Sequence, residues 1–186
     1  MFQGNLKTVS VGIMNTATMD SLPRSFLPAG RDLGTSPVST LELDPSFHLS
    51  FPALTEILRW PKALNKFRGA LPGDEISKEV LEPLSTTYCT MDNILAPAAI
   101  SECFASTKHF LQELELIDRD VHWSGYDGSQ MSLQGFRCLR KVSIPAVCFF
   151  GTNTLGSDRN GLYKLLPSSL VELLVRAISQ NTWPKY

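Results

Sequence analysis

Cys103 and His109 are the first pair of side chains in this sequence whose types suggest catalytic chemistry. A thiol beside an imidazole is the arrangement in which a histidine activates a cysteine nucleophile. The two residues lie six positions apart on one predicted helix, so their side chains point in different directions. The spacing therefore argues against a cysteine–histidine pair.

His122 is the second candidate, because it lies in a polar segment with Asp118, Asp120 and Asp127. A small enzyme using this loop is the alternative to a binding protein, and it predicts a deep pocket with a perturbed titratable group. Aspartates in a glycine-containing loop are more often turn formers and solvated charges. The spacing of a calcium loop, with its terminal glutamate, is not met.

Other catalytic and cofactor motifs are missing from the sequence. There is no Gly-x-Ser-x-Gly elbow, and residues 151–161 have glycines without the lysine and hydroxyl of a phosphate-binding loop. The four cysteines have no metal-ligand spacing and are predicted to be reduced and mostly buried; they are Cys89, Cys103, Cys138 and Cys148. We therefore predict no enzyme activity, no metal and no cofactor.

Composition and charge restrict the partners and the compartment. The chain has 186 residues, 43% of them hydrophobic and 19% charged, which is typical of a soluble globular protein. Its net charge is −1 and it has no basic run, so no nucleic-acid partner is expected. No apolar stretch is long enough to span a membrane and no leader is recognisable. These features predict a cytoplasmic or nuclear protein.

A triplet of apolar residues recurs along the chain and predicts the elements that position everything else. In residues 111–116 leucines occupy the first, fourth and sixth positions, the inward spacing of a short strand in a leucine-rich repeat. The other triplets are Leu6, Val9, Val11; Val38, Leu41, Leu43; Leu64, Phe67, Gly69; Leu139, Val142, Ile144; and Leu170, Leu173, Val175. We predict an α/β fold, a short leucine-rich-repeat solenoid whose parallel strands, in sequence order, alternate with helices and loops. Gly69, in place of an aliphatic residue, should weaken the third strand most.

Helices and loops are predicted between these strands within a single domain of residues 1–186. Pro52 and Pro61 delimit one helix, and Pro97 opens another that buries Ile100, Cys103, Phe104 and Thr107. The remaining segments are a loop at 15–37, a loop or insertion with a short helix at 70–95, a polar loop at 118–130, a short helix at 162–166 and a loose tail at 177–186.

Three segments resemble the divergent fungal leucine-rich-repeat proteins that often carry an F-box. They are residues 57–64, residues 133–144, and residues 165–173 with their Leu-Pro-Ser-Ser-Leu sequence. The resemblance implies a role in protein binding, as part of a ubiquitin-ligase substrate receptor. Nothing in residues 1–37 resembles an F-box, so contact with the ligase adaptor would require an F-box upstream.

The side chains between the apolar positions should point away from the core and form a concave binding face, because strand side chains alternate. They are Thr8, Ser10, Thr40, Glu42, Lys66, Arg68, Glu113, Glu115, Lys141 and Ser143. Trp123, in a polar segment, is a further candidate for an exposed contact. The mixed charge suits an unidentified protein partner, so we predict a non-catalytic protein–protein interaction module.

The position of the first triplet gives two more expectations. The chain begins within six residues of a core strand, so the edge of the sheet has no covering unit and should favour self-association. If the chain is a fragment of an F-box-type substrate receptor, it should neither bind the ligase adaptor nor be fully stable alone. A truncated gene product without function is the remaining alternative.

Overall fold

A parallel sheet organises the computed structural model, which describes residues 7–11, 33–45, 49–72, 74–75, 93–118, 123–150 and 161–177. The fold is α/β. The strands are β1 (Thr8–Val11), β2 (Thr40–Leu43), β3 (Lys66–Ala70), β4 (Asp74–Glu75), β5 (Asn93–Leu95), β6 (Glu113–Ile117), β7 (Trp123–Tyr126), β8 (Lys141–Pro145) and β9 (Glu172–Arg176). The helices are α1 (Phe51–Arg59), α2 (Pro97–Cys103) with a 3₁₀ turn (Phe104–Thr107), α3 (Val147–Phe150) and α4 (Leu162–Leu165).

The main sheet has six strands in the order β1-β2-β3-β6-β8-β9, and every neighbouring pair is parallel. The register aligns Leu41 with Phe67, Phe67 with Leu114 and Leu114 with Val142. Leu41 is 2% exposed and Leu114 1%. The prediction of six parallel strands in sequence order, with these leucines inside, is confirmed.

The same pair of backbone hydrogen bonds recurs at the amino-terminal ends of adjacent strands in the main sheet. The carbonyl oxygen of the residue before one strand accepts from two consecutive backbone N–H groups at the start of the next strand. The accepting carbonyls belong to Lys7, Ser39, Asn65, Gln112 and Arg140. The five junctions thus share one geometry, although the segments that join the strands differ widely in length.

The core lies on one side of this sheet. Helix α1 begins with Ser50, whose hydroxyl accepts from the Ala53 N–H, and it buries Leu54 and Leu58. Helix α2 and the 3₁₀ turn bury the predicted positions Ile100, Cys103, Phe104 and Thr107. These side chains join the inward side chains of the strands in one hydrophobic cluster.

Gly69, which was predicted to weaken the third strand most, lies within a strand that is paired on both sides. Strand β3 pairs with β2 on one side and β6 on the other, and Gly69 itself lies opposite Leu116. A Cβ at Gly69 would come within 3.0 Å of the Phe67 ring, which lies two positions earlier on the same side of the strand. Phe67 therefore fills the inward space that an aliphatic residue fills elsewhere.

Two segments predicted as loops contain strands. Strands β4 and β5 fall within residues 70–95 and β7 within 118–130, and together they form a second sheet in the order β4-β5-β7. The sequence patterns predicted a loop or insertion with a short helix in the first segment and a polar loop in the second, and they indicated neither these three strands nor α3. Leu6, residues 15–32, the helix predicted within 76–84 and the tail from residue 178 lie outside the described residues. Within the part of the chain that is described, no helix is long and apolar enough to cross a membrane.

Candidate partner-binding face

The predicted outward side chains form two rows that run across the main sheet, and we call these rows together with Arg176 the charged face. Row one joins Thr8, Thr40, Lys66, Glu113, Lys141 and Glu172. Row two joins Ser10, Glu42, Arg68, Glu115, Ser143 and Leu174. Glu172, Leu174 and Arg176 were not predicted, although the alternation that identified the other positions continues through β9.

The acidic part of the charged face is centred on one lysine. Lys66 Nζ lies 3.3 Å from Glu42 Oε1 and 4.0 Å from Glu113 Oε2. The three residues come from adjacent strands β2, β3 and β6: the register aligns Lys66 with Glu113, and the lysine reaches Glu42 diagonally from row one to row two. Two carboxylates share a single ammonium, so this group carries one net negative charge.

The basic part of the charged face has the opposite composition. Glu115 Oε2 lies 3.4 Å from Arg68 Nε, and Glu115 Oε1 lies 2.6 Å from Arg176 Nη2. The Arg176 side chain reaches from β9 past β8 to contact β6. Ser143 is on β8 between these strands, and its buried hydroxyl oxygen has no hydrogen-bond partner in the described structure. Two guanidinium groups share one carboxylate, so this group carries one net positive charge.

A neutral pair and an apolar side chain complete the face at β8 and β9. Lys141 Nζ lies 3.3 Å from Glu172 Oε2, and these side chains are 56% and 62% exposed. Leu174, next to Ser143 in row two, is 51% exposed. Solvent-exposed ion pairs of this kind contribute about 0–1 kcal/mol each to stability, so their main effect is to order the charged side chains.

The cysteine and histidine candidates are not brought together. Cys103 is buried and its thiol donates to the Phe51 carbonyl oxygen at 3.5 Å, whereas His109 is exposed. Cys148 is also buried, and burial, followed by the charge of Asp118, raises the pKa of its thiol. A raised pKa keeps the thiol protonated, which is the opposite of what a nucleophilic cysteine requires.

The structure describes only part of the polar segment around His122. His122 and Asp120 lie outside the described residues, and of Trp123 only the backbone is described, in β7. Asp127 is exposed, and its Oδ1 accepts from the Ser129 N–H at 2.8 Å, so it stabilises a turn. Across the described ranges no three histidine, cysteine or acidic side chains are grouped as a metal site would need.

The chain matches no protein-family model, no curated protein and no solved structure. The chemistry and geometry of the charged face are therefore the basis for a functional interpretation.

Proposed function

We propose that the chain is a non-catalytic interaction module and that its charged face binds a protein partner. One observation carries the proposal: a network of ion pairs lies at least partly exposed on one side of a six-stranded parallel sheet. Thr40, Lys66, Lys141 and the other residues predicted on the strands of the main sheet lie in the two rows, whereas Trp123 belongs to β7 of the second sheet.

The exposure of this face is unusual for its type of sheet. All-parallel sheets generally have both faces covered by other elements, and the residues on both faces are then mostly apolar. Here the ionised side chains alternate with the core residues of the same strands and remain between 26% and 62% exposed. Side chains already held in ion pairs lose less conformational freedom when a partner docks, which favours binding.

The charge distribution defines what the partner should present. A basic group would complement Glu42 and Glu113, and an acidic group would complement Arg68 and Arg176. The two rows are two residues apart along the strands, which corresponds to roughly 7 Å. Leu174 offers an apolar contact beside the basic part. Such complementarity gives specificity and orientation more than affinity.

We also propose that the main sheet belongs to a leucine-rich-repeat solenoid of the F-box-associated kind. The six apolar triplets, the sequential parallel order and the recurring carbonyl geometry support this interpretation. A role in ubiquitin-ligase substrate recognition, in the cytoplasm or nucleus, follows from the resemblance. Contact with the ligase adaptor would depend on an F-box upstream.

Site-specific photo-crosslinking provides the first test. A photoreactive amino acid in place of Leu174, on the charged face, is compared with one in place of Glu102, which is exposed on helix α2. A protein captured in source cells from position 174 but not from position 102 is a partner of the face. Capture from both positions alike would count against a defined surface.

Affinity measurements with the purified partner then test the charges. Glu42→Lys combined with Glu113→Lys should weaken binding by about 100-fold, because the part of the face that attracts a basic group would then repel it. Glu102→Lys makes the same chemical change on the helical side and should leave the affinity unchanged. Unchanged affinity in the double variant would refute the proposal.

A further inference from the structure

A second candidate site lies beside the charged face, at the amino-terminal ends of β6, β8 and β9. It is an open cleft of about 610 Å³. The side chains that line it are Gln112, Arg137, Cys138, Arg140, Ser169 and Val171. Two of the six are arginines and none is acidic, so the cleft has a positive potential built from its own walls.

Backbone hydrogen bonds fix both arginines. Arg140 donates its N–H to the Gln112 carbonyl at 2.8 Å, and its own carbonyl accepts from Val171 and Glu172. Arg137 donates its N–H to the Lys108 carbonyl at 3.1 Å. The backbone of the cleft is therefore tied to the recurring junctions of the main sheet, so the guanidinium groups extend from a preorganised base.

The two arginines differ from the other arginines that the structure describes. Arg59, Arg68 and Arg176 each contact a glutamate. Within the described ranges, Arg137 and Arg140 have no carboxylate partner and no side-chain hydrogen bond. The acidic residues that directly follow the lining residues Gln112 and Val171, Glu113 and Glu172, face outward and pair with Lys66 and Lys141.

Two of the other polar side chains of the cleft use their protons internally. The Ser169 hydroxyl lies in hydrogen-bonding distance of the Phe136 and Leu139 carbonyl oxygens, and the Cys138 thiol donates to the His109 carbonyl oxygen. The guanidinium N–H groups and the side-chain amide of Gln112 are therefore the donors that face a ligand. Val171 is 81% exposed and forms an apolar wall.

We propose that this cleft binds an oxyanion, a phosphate or a carboxylate, through Arg137 and Arg140. A planar guanidinium offers parallel N–H donors that match both groups in bidentate fashion, and such charge-assisted bonds are among the strongest in proteins. The exposed Val171 suits a ligand whose anionic group is attached to an apolar part. The site is separate from the charged face, and the inference does not depend on the function proposed for that face.

Nuclear magnetic resonance titration of the ¹⁵N-labelled chain tests the proposal. Inorganic phosphate and acetate are added separately, with sodium chloride at equal ionic strength as the reference. The side-chain Nε–H signals of Arg137 and Arg140 should shift in a saturable manner, while that of Arg59 follows the reference. Saturation by phosphate alone identifies a phosphoryl ligand, by acetate alone a carboxylate, and by both a general oxyanion site.

Arginine variants separate the site from nonspecific charge. Arg137→Gln or Arg140→Gln should each weaken binding by about ten-fold, since each removes charge-assisted hydrogen bonds, and the double variant should not saturate. Arg140→Lys keeps the positive charge but loses the two parallel N–H donors of the guanidinium group. Its affinity should therefore lie between that of the unchanged chain and that of Arg140→Gln. Arg59→Gln is the matched control. The proposal would be overturned if phosphate and acetate caused no saturable shift larger than that in the sodium chloride reference. It would also be overturned if saturation persisted in a double variant whose backbone amide spectrum is unchanged.

Discussion

The two sides of the main sheet differ sharply although alternate residues of the same strands build them. Phe67 is fully buried and packs edge-on against Phe104 with ring centroids 5.1 Å apart, while Arg68, the next residue, is about half exposed. One side is apolar and supplies packing; the other is ionised and its pairs are exposed. The inward side of each strand therefore supplies the packing that holds the fold, and the outward side is not needed for it.

The largest expected effect separates these two neighbouring residues. Phe67→Ala should lower the free energy of unfolding by about 3–5 kcal/mol, because it leaves a cavity in the core. Arg68→Ala removes only a solvent-exposed ion pair and should cost less than about 1 kcal/mol. Urea unfolding of both variants measures the two changes in the free energy of unfolding. Similar losses of stability would contradict the difference between the two sides of the sheet.

A second pair of variants compares the middle of the sheet with its last described strand. Leu114 and Leu173 occupy the same register, but Leu114 is fully buried and Leu173 only partly. Leu114→Ala should cost about 2–5 kcal/mol, and Leu173→Ala clearly less, because solvent already reaches that site. Equal losses in urea unfolding would mean that the strand at the end of the described sheet is packed as tightly as those in the middle.

Gly69 tests how the inward side is filled. Gly69→Ala should destabilise the chain by about 1–3 kcal/mol, because its methyl group would press on the Phe67 ring. In a Phe67→Leu background the same substitution should cost less, since the ring is gone. A double-mutant cycle by urea unfolding measures this coupling. A coupling energy near zero would show that the ring does not occupy the space over Gly69.

Ionisation also distinguishes the two sides. Burial raises the pKa of the Cys148 thiol in the core, whereas an unfolded chain has a thiol pKa of about 8.5. The neutral Cys148 thiol therefore contributes to the free energy of unfolding. This contribution is fully present below that pH and is lost as the pH rises, by up to about 1.4 kcal/mol per pH unit. Unfolding measured between about pH 8 and pH 10 should show this slope, and Cys148→Ala, although less stable, should lack that part of it. Identical slopes would contradict a buried neutral thiol.

Sequence patterns were sufficient for the elements whose signal is local. A triplet of apolar residues predicts each strand of the main sheet, because strand side chains alternate and only the inward positions need to be apolar. Strand β7 was missed since Gly125 and the surrounding polar residues favour a turn, and its pairing with β5 is not local. The sequence would have allowed the prediction that Phe67 fills the space over Gly69, because the two residues lie two positions apart and so point to the same side of one strand.

The ion pairs of the candidate site were harder to predict than its positions. Alternation identifies which residues face outward, but the partner of each charge depends on the length and direction of long side chains. Arg176 illustrates this, since it passes β8 to reach Glu115. The cleft around Arg137 and Arg140 depends on how three separate segments meet, which no single stretch of sequence encodes.

If the charged face recognises a partner without being needed for folding, as proposed, an exchange of charges on it should change binding and leave stability intact. Lys141→Glu with Glu172→Lys keeps an ion pair between β8 and β9 but reverses its direction. Unfolding stability should change by less than about 1 kcal/mol, and affinity for a partner captured through Leu174 should fall by at least about ten-fold. Unchanged affinity with unchanged stability would contradict the account.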